Sequence, residues 1–497
     1  MFGLSFQTLP AVEPAHPSRA DIALFVGWTT RRAGQPLPPA IADWLRERRY
    51  PLDDSLRDVP VPIDAWGTFD ALFDGQARPL SAGGAAAADD YLSLAVRDFF
   101  ANGGRKAYVV RLGDPWPVLP QLAAEARASH LTELLPPEGA AGWMRESWHG
   151  IEHAWALDDL SFVLVPDLPA LLADRDAVVP PDAPAAPVVP EVFVECAPSL
   201  QPALPAAGVR RVAAPRLSDE AYAAWNDTAQ RLRERLARRR RDLMLLLALP
   251  LAAADTRAAR RLQAAVSVRS SMLQLATPWL QPLRPPRVPE GLLPPDGALA
   301  GLVAGSVLQR GAARTAAGAA PRGVRAVWPQ PPDEALRTPD PAQEDDALVS
   351  RFALFAPTPD GVRLRSDRSA SALRAWRDAG VVRLLGQLLR TARQVGETLV
   401  FEPAGEALWA RLQGRFEQVL TRYWQAGALR GASAAEAFDV RCDRSTMTQN
   451  DLDHGRVVVQ LSFVPQAGIE RIRVALALAE DGGVRWADAD AVEESVA

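Results

Sequence analysis

Near the end of the sequence two successive stretches alternate apolar with other residues. In 456–464, Val457, Val459, Leu461 and Phe463 alternate with Val458, Gln460, Ser462 and Val464. In 469–479, Ile472, Val474, Leu476 and Leu478 alternate with Arg471, Arg473, Ala475 and Ala477. A period of two puts each apolar set on one face of a pleated strand. A sheet with one greasy face must be covered by another layer. The cover stands just upstream, in FEPAGEALWARLQGRFEQVLTRYWQAGAL. Pro403 sits near a first helical turn, where its missing N–H costs nothing. Leu408, Leu412, Phe416, Val419, Leu420 and Tyr423 then recur at helical spacing, while Arg411, Arg415 and Arg422 lie elsewhere on the cylinder. With a third strand over 437–442, the pattern predicts a long helix on a β-meander.

The first half of the chain carries a different signal. DIALFVGW reads as a buried strand, DDYLSLAVRDFFANGG as an amphipathic helix stopped by glycines, and KAYVVRL as the next strand. Further buried strands are read in LSFVLVPD and LMLLLALP, the second after the helix EAYAAWNDTAQRLRERLARRRRD. Strands that alternate with helices predict an α/β layer with a parallel sheet. The stretch DTRAARRLQAAVSVRSSMLQLATPWL is read as one more helix, followed by the Pro-rich loop PLRPPRVPEGLLPPDGALAGLVAGS. The fold class expected is α/β, or mixed α+β, in several parts. They are an N-terminal arm (1–20), a body (21–328) with a Pro/Ala-rich surface excursion at about 168–215, a linker (329–346), a C-terminal domain (347–479) and an acidic tail (480–497).

Composition narrows the function classes. A chain of 497 residues, 48% hydrophobic and 23% charged, is large enough for a sizeable core. Its net charge of −5 argues against nucleic acid as a partner. Cys196 and Cys442 lie far apart and form no disulfide framework. The N-terminus lacks the pattern of a signal peptide, and no apolar run reaches ~18 residues, so the expectation is a soluble protein made in the cytoplasm, with no membrane insertion.

Four stretches resemble chemistry. HGIEH, from His149 to His153, has the H-x-x-E-H spacing of inverted zinc peptidases, with Glu152 as base. No third ligand segment is evident, and two partly exposed histidines are the simpler expectation. AGSVL around Ser306 lacks the second glycine of a nucleophile elbow, and NGGRK (102–106) follows a helix where phosphate loops precede one. VRCDRSTMTQNDLDHGRVVVQLSFVP offers Cys442, Asp451, Asp453 and His454, but turn-forming aspartates and a core thiol between two strands account for them. The arginines 238–241 read as a solvated helix end. No catalytic residue, metal or cofactor is expected.

The run LVFEPAGEALWARLQGRFEQVLTRYWQAGALRGASAAEAFDVRCDRSTMTQNDLDHGRVVVQLSFVP resembles the C-terminal domain of contractile phage tail sheath proteins and of their counterparts in contractile injection systems. YLSLAVRDFFANGGRKAYVVRL, TPWLQPLRPPRVPEGLLPPDGALAGLVAGS and IALFVGW agree with other parts of that family. The resemblance implies a structural subunit, not an enzyme. Such subunits stack as hexameric rings around an inner tube, contract to drive it through a target envelope, and meet baseplate and cap or terminator proteins. It also implies strand exchange between neighbours, with the strands of Val457, Val459, Leu461, Phe463, Ile472, Val474, Leu476 and Leu478 as candidates and 469–479 as the C-terminal donor. On the same ground Arg411, Arg415 and Arg422 are candidates for contact with the tube. FQTLPAVEP departs from the family's N-terminal arm, and no glycine-rich segment stands between 330 and 379. A sheath-like cap, adaptor or baseplate-proximal paralogue is therefore the alternative.

Overall fold

The computed structural model describes residues 19–137, 147–174, 205–252, 266–336, 348–399, 405–466, 471–478 and 484–488. The N-terminal arm, Cys196, most of the Pro/Ala-rich excursion, much of the linker and the end of the acidic tail lie outside the described residues.

Its largest layer is an eight-stranded sheet. In chain order the elements are β1 (Ala23–Trp28), β2 (Val61–Ile63), α1 (Tyr91–Ala101), β3 (Ala107–Gly113), β4 (Phe162–Leu164), α2 (Asp219–Ala237), β5 (Met244–Ala248), β6 (Leu273–Thr277), α3 (Asp296–Arg310), β7 (Ala353–Thr358) and β8 (Gly361–Ser366). The order across the sheet is β8-β7-β6-β5-β4-β1-β3-β2. From β7 to β3 every pair is parallel; β8 and β2 close the two edges antiparallel. Core clusters line both faces, which is why β1, β4, β5 and β6 are uniformly buried rather than alternating.

Helix α1 begins at Asp90, whose carboxylate accepts the Ser93 N–H, and it packs closely on α3. A Cβ on Gly301 would stand 2.5 Å from the Phe99 carbonyl oxygen, and one on Gly297 2.5 Å from that of Ala95. Only glycine permits this approach.

The second unit comprises α4 (Ala379–Leu399), α5 (Glu406–Gln425), β9 (Phe438–Arg441), β10 (Val457–Phe463), β11 (Ile472–Leu478) and β12 (Val484–Asp488). The four strands form an antiparallel sheet in sequence order. Leu408, Leu412, Phe416, Leu420 and Tyr423 of α5 are buried against it.

Several expectations change. Residues 273–277 and 279–280, read as helix, lie in the strands Leu273–Thr277 and Trp279–Pro282, because LQLAT is buried inside the parallel sheet. DGALAGLVAGS, read as loop, is the body of α3: its small residues suit a helix pressed against another. The C-terminal domain was to begin at 347, yet β7 and β8 hydrogen-bond into the large sheet. The acidic tail supplies β12. Arg240, expected in solvent, is buried and holds Asp242.

Candidate assembly interface

The strand residues singled out by alternation meet one another across the C-terminal sheet. Val457 lies opposite Leu478, Val459 opposite Leu476, Leu461 opposite Val474 and Phe463 opposite Ile472. All are buried in the chain's own core, while Gln460, Arg473, Ala475 and Ala477 face outward. Cross-strand apolar pairs of this kind set the register, since a slip by one residue would turn every one of them to water. Strand β11, the expected donor, has β10 on one side and β12 on the other. Within this chain both its edges are occupied. The outer edges of the sheet are those of β9 and β12.

On α5, Arg411, Arg415 and Arg422 are exposed, and Arg422 also lines a cleft that α5 shares with α3 and α4. At four and eleven residues from Arg411, Arg415 and Arg422 share its side of the helix, forming a basic stripe that flanks the buried one about 100° around the cylinder. Helix α4 ties this unit to the body. Arg383 donates to Asp367 at 2.9 and 3.3 Å, and Arg390 donates to the Leu160 carbonyl at 3.1 Å. Asp242 accepts a bidentate pair from Arg240, both at 2.9 Å, with Arg390 and Arg393 at 3.7 and 3.8 Å. Burial opposes ionisation, but these arginines hold the Asp242 carboxyl down to about 2.

The stretches that resembled chemistry take structural roles. Residues Gly150–Ala156 form a 3₁₀ turn, which carries His149 and His153 to Asp58 at 2.6 and 3.2 Å. His153, expected to be partly exposed, is buried. Burial works against the Asp58 carboxylate, yet hydrogen bonds from His153, the Gly150 N–H and His149 hold it below the usual range. Glu152 points to Arg235 instead. Among the described residues no group of three or more His, Cys, Asp or Glu side chains could hold a metal ion. Farther along, Asp443 caps the turn Arg444–Thr446, Thr448 and Asp451 form a reciprocal capping box, and His454 Nδ1 meets the Asn450 carbonyl at 2.8 Å. Burial pushes the Cys442 thiol up to about 12, so it is no nucleophile at neutral pH.

One cluster escaped the sequence analysis. At the carboxyl ends of β1 and β4, where the strand order reverses, Asp90, Asp167 and Asp296 are fully buried. In open α/β sheets this is the usual ligand crevice, but here it is filled. Asp167 accepts the Trp28 N–H at 3.0 Å, Asp90 accepts from Thr29 Oγ1 at 2.9 Å, and Asp296 accepts the Gly297 N–H at 3.0 Å. Burial raises all three, to about 6, 8 and 7. The available signal was an aspartate at the end of a strand or the start of a helix, in VPD, DDY and PPD.

No sequence-family model and no curated protein matches the chain. Solved structures do. A chain of the contracted baseplate of the anti-feeding prophage is 20% identical, with a TM-score of 0.59, over 95% of this chain and 96% of that one. The contracted PVC sheath complex, an extracellular contractile injection system, gives 17% identity and a TM-score of 0.56, with the same coverage. The contracted helical sheath of the anti-feeding prophage gives 20% identity and a TM-score of 0.53, over 94% of this chain and 98% of that one. The likeness spans body and C-terminal unit together: the chain has the fold of the contractile-sheath proteins.

Proposed function

We propose that the chain is a structural subunit of a contractile sheath, polymerising as stacked hexameric rings around an inner tube and contracting to drive that tube through a target envelope. The observation that carries this reading is end-to-end coverage: 95% of this chain superimposes on 96% of a sheath-complex chain, with no large part of either left over for another activity. A heterologous contact that does not close on itself builds a helical filament, so one repeated interface suffices. Within that reading β10 and β11 form the core of an acceptor sheet, and a neighbour's strand adds at an outer edge, where backbone N–H and C=O groups have no partner strand among the described residues. Arg411, Arg415 and Arg422 face the tube, and the particle's baseplate and cap proteins meet the ends of the sheath. Negative-stain microscopy of the purified protein, alone and with its tube partner, tests this. Tubes or rings are expected; a protein that stays monomeric under both conditions refutes it.

A baseplate-proximal, cap or adaptor paralogue is the second reading. It is favoured by likeness to chains from two baseplate structures of the anti-feeding prophage. Immunogold label along the whole particle selects the first reading, and label at one end selects the second.

A further inference from the structure

A recess and a projection of matching chemistry stand at opposite ends of β1. The recess is a cleft of about 310 Å³ between the C-terminal end of α3, the middle of α4 and the end of α5. Val307, Leu308 and Val419 give it apolar walls, and Leu308 is 47% exposed there. Arg310 and Arg314 stand at the cleft, exposed and with no carboxylate partner among the described residues; Arg310 donates to Ser306 Oγ and the Thr315 carbonyl. Among the described residues that line it, Asp21 alone is acidic, and Arg19 already holds it at 2.6 and 3.0 Å. Apolar walls beside uncompensated guanidinium groups suit an apolar side chain next to a carboxylate.

The projection is the loop that leads into β2. Residues 51–55, PLDDS, are all exposed; Leu52 is 46% exposed and the Asp54 side chain 86%. The tip is nonetheless fixed. Asp53 Oδ1 accepts the Ser55 and Leu56 N–H groups at 2.9 and 3.0 Å. Arg31 Nε donates to the Asp54 carbonyl at 3.1 Å, and Arg111 Nη1 to the Ser55 carbonyl at 3.2 Å. Leu56 and Asp58 hold left-handed backbone, with φ of 48° and 55°, which such side chains adopt only where their surroundings impose it. A leucine and a carboxylate kept in one shape in water have already lost the freedom that binding would otherwise take.

We propose that the 51–55 tip of one copy seats in the α3–α4–α5 cleft of the next, with Leu52 on the apolar walls and Asp54 at Arg314. The contact rests on the sheath-subunit reading and adds to it a joint between rigid bodies, separate from strand exchange at the C-terminal sheet. Strand β1 sets its polarity. Residues 19–21 run from the cleft into the strand, while at its other end Arg111 donates to both the Thr29 and the Ser55 carbonyls. Six strand residues separate the two features by ~20 Å, so a tip does not reach its own cleft. A copy that gives its tip to one neighbour keeps its cleft for another, and such a head-to-tail contact builds a filament when it does not close.

The test places photoreactive benzoylphenylalanine at position 308 of the full chain and irradiates the concentrated protein, whether or not tubes form. Trypsin releases position 308 within 288–310 and the tip within 50–57. These two peptides joined, from a band of dimer mass, are the expected result. Tubes in which position 308 joins only other peptides overturn this contact and leave the sheath reading standing. The expected crosslink without tubes or rings upholds the contact and counts against the sheath reading. A crosslink to 50–57 confined to monomer mass, or none at all, overturns the proposal. Asp54→Arg and Arg314→Asp each reverse one exposed charge, and each is expected to lower the crosslink yield about 5-fold with an unchanged circular dichroism spectrum. The double variant restores the pair in reversed order and is expected to recover the yield. Single variants that crosslink as well as the parent, or a double variant no better than the singles, overturn the seating of Asp54 at Arg314.

Discussion

Two sets of buried aspartates occupy opposite electrostatic worlds in the same body. At the carboxyl ends of β1 and β4, Asp90, Asp167 and Asp296 have hydrogen-bond donors but, among the described residues, no cation in direct contact, and burial raises them to about 8, 6 and 7. Toward α4, Asp242 and Asp367 are just as buried, yet arginines pull both below the ordinary value. Space accounts for the difference. A Cβ at Gly27 would stand 2.3 Å from Asp167 Oδ2, and α1 lies on α3 at glycine distance. The charge of nearby Arg78 lowers Asp167 but does not outweigh its burial, and protonation takes the place of an ion pair. The α4 side is built from long arginines whose stems pack while their heads pair.

The largest effect is expected where pairing is broken. Asp242→Ala leaves Arg240 and Arg390 buried without their carboxylate, and should cost about 3–5 kcal/mol by urea unfolding. A loss under about 1 kcal/mol would show that the arginines find other partners and that the α4 clamp is not electrostatic.

Next comes the pH profile. A carboxyl raised on folding stabilises fully below its unfolded value, near 3.8, and that contribution is lost as pH rises through its folded value. For Asp167, Asp296 and Asp90 the loss begins near 3.8 and is complete at about 6, 7 and 8 respectively. Asp242, lowered to about 2, acts in reverse: its stabilisation is present above the unfolded value and lost as pH falls toward 2. Melting temperature should therefore fall from pH 5 to pH 9, and fall again in strong acid. Asp90→Asn keeps the shape without the charge and should flatten the fall above pH 6. An unchanged slope in that variant would remove Asp90 from the account.

The crowding argument predicts that Gly301→Ala destabilises by about 1–3 kcal/mol, because the new methyl meets the Phe99 carbonyl. A neutral result in thermal melts would mean that α1 and α3 can part, and that an arginine could have been accommodated after all. The smallest effect is reserved for a partly exposed carboxylate. Thr448→Ala removes the partner of Asp451 in the capping box and should cost about 0.5–1 kcal/mol, with little pH dependence above pH 5.

Much of the architecture was legible because period is a property of the chain alone. The alternation in 456–464 and 469–479 named the buried faces of β10 and β11, and the helical spacing of Leu408, Leu412, Phe416, Leu420 and Tyr423 named the layer that covers them. Partnership was not legible. Nothing in 469–479 says that β12 will close its second edge, nor that 353–366 will join a sheet begun at residue 23. Short apolar runs such as LQLAT are equally good helix or strand until a neighbouring strand supplies hydrogen-bond partners.

For the candidate interface the same division holds. The sequence by itself determined which side chains are apolar, how they repeat, and therefore that two sheets with helical covers would form, since burial depends on composition and period. Only the tertiary structure decided which edges stay open, which aspartates meet arginine, and that HGIEH turns its glutamate toward Arg235 and its histidines toward Asp58. Apart from the local Arg240–Asp242 pair, most of those outcomes depend on contacts between residues more than ten positions apart, which local periodicity does not encode.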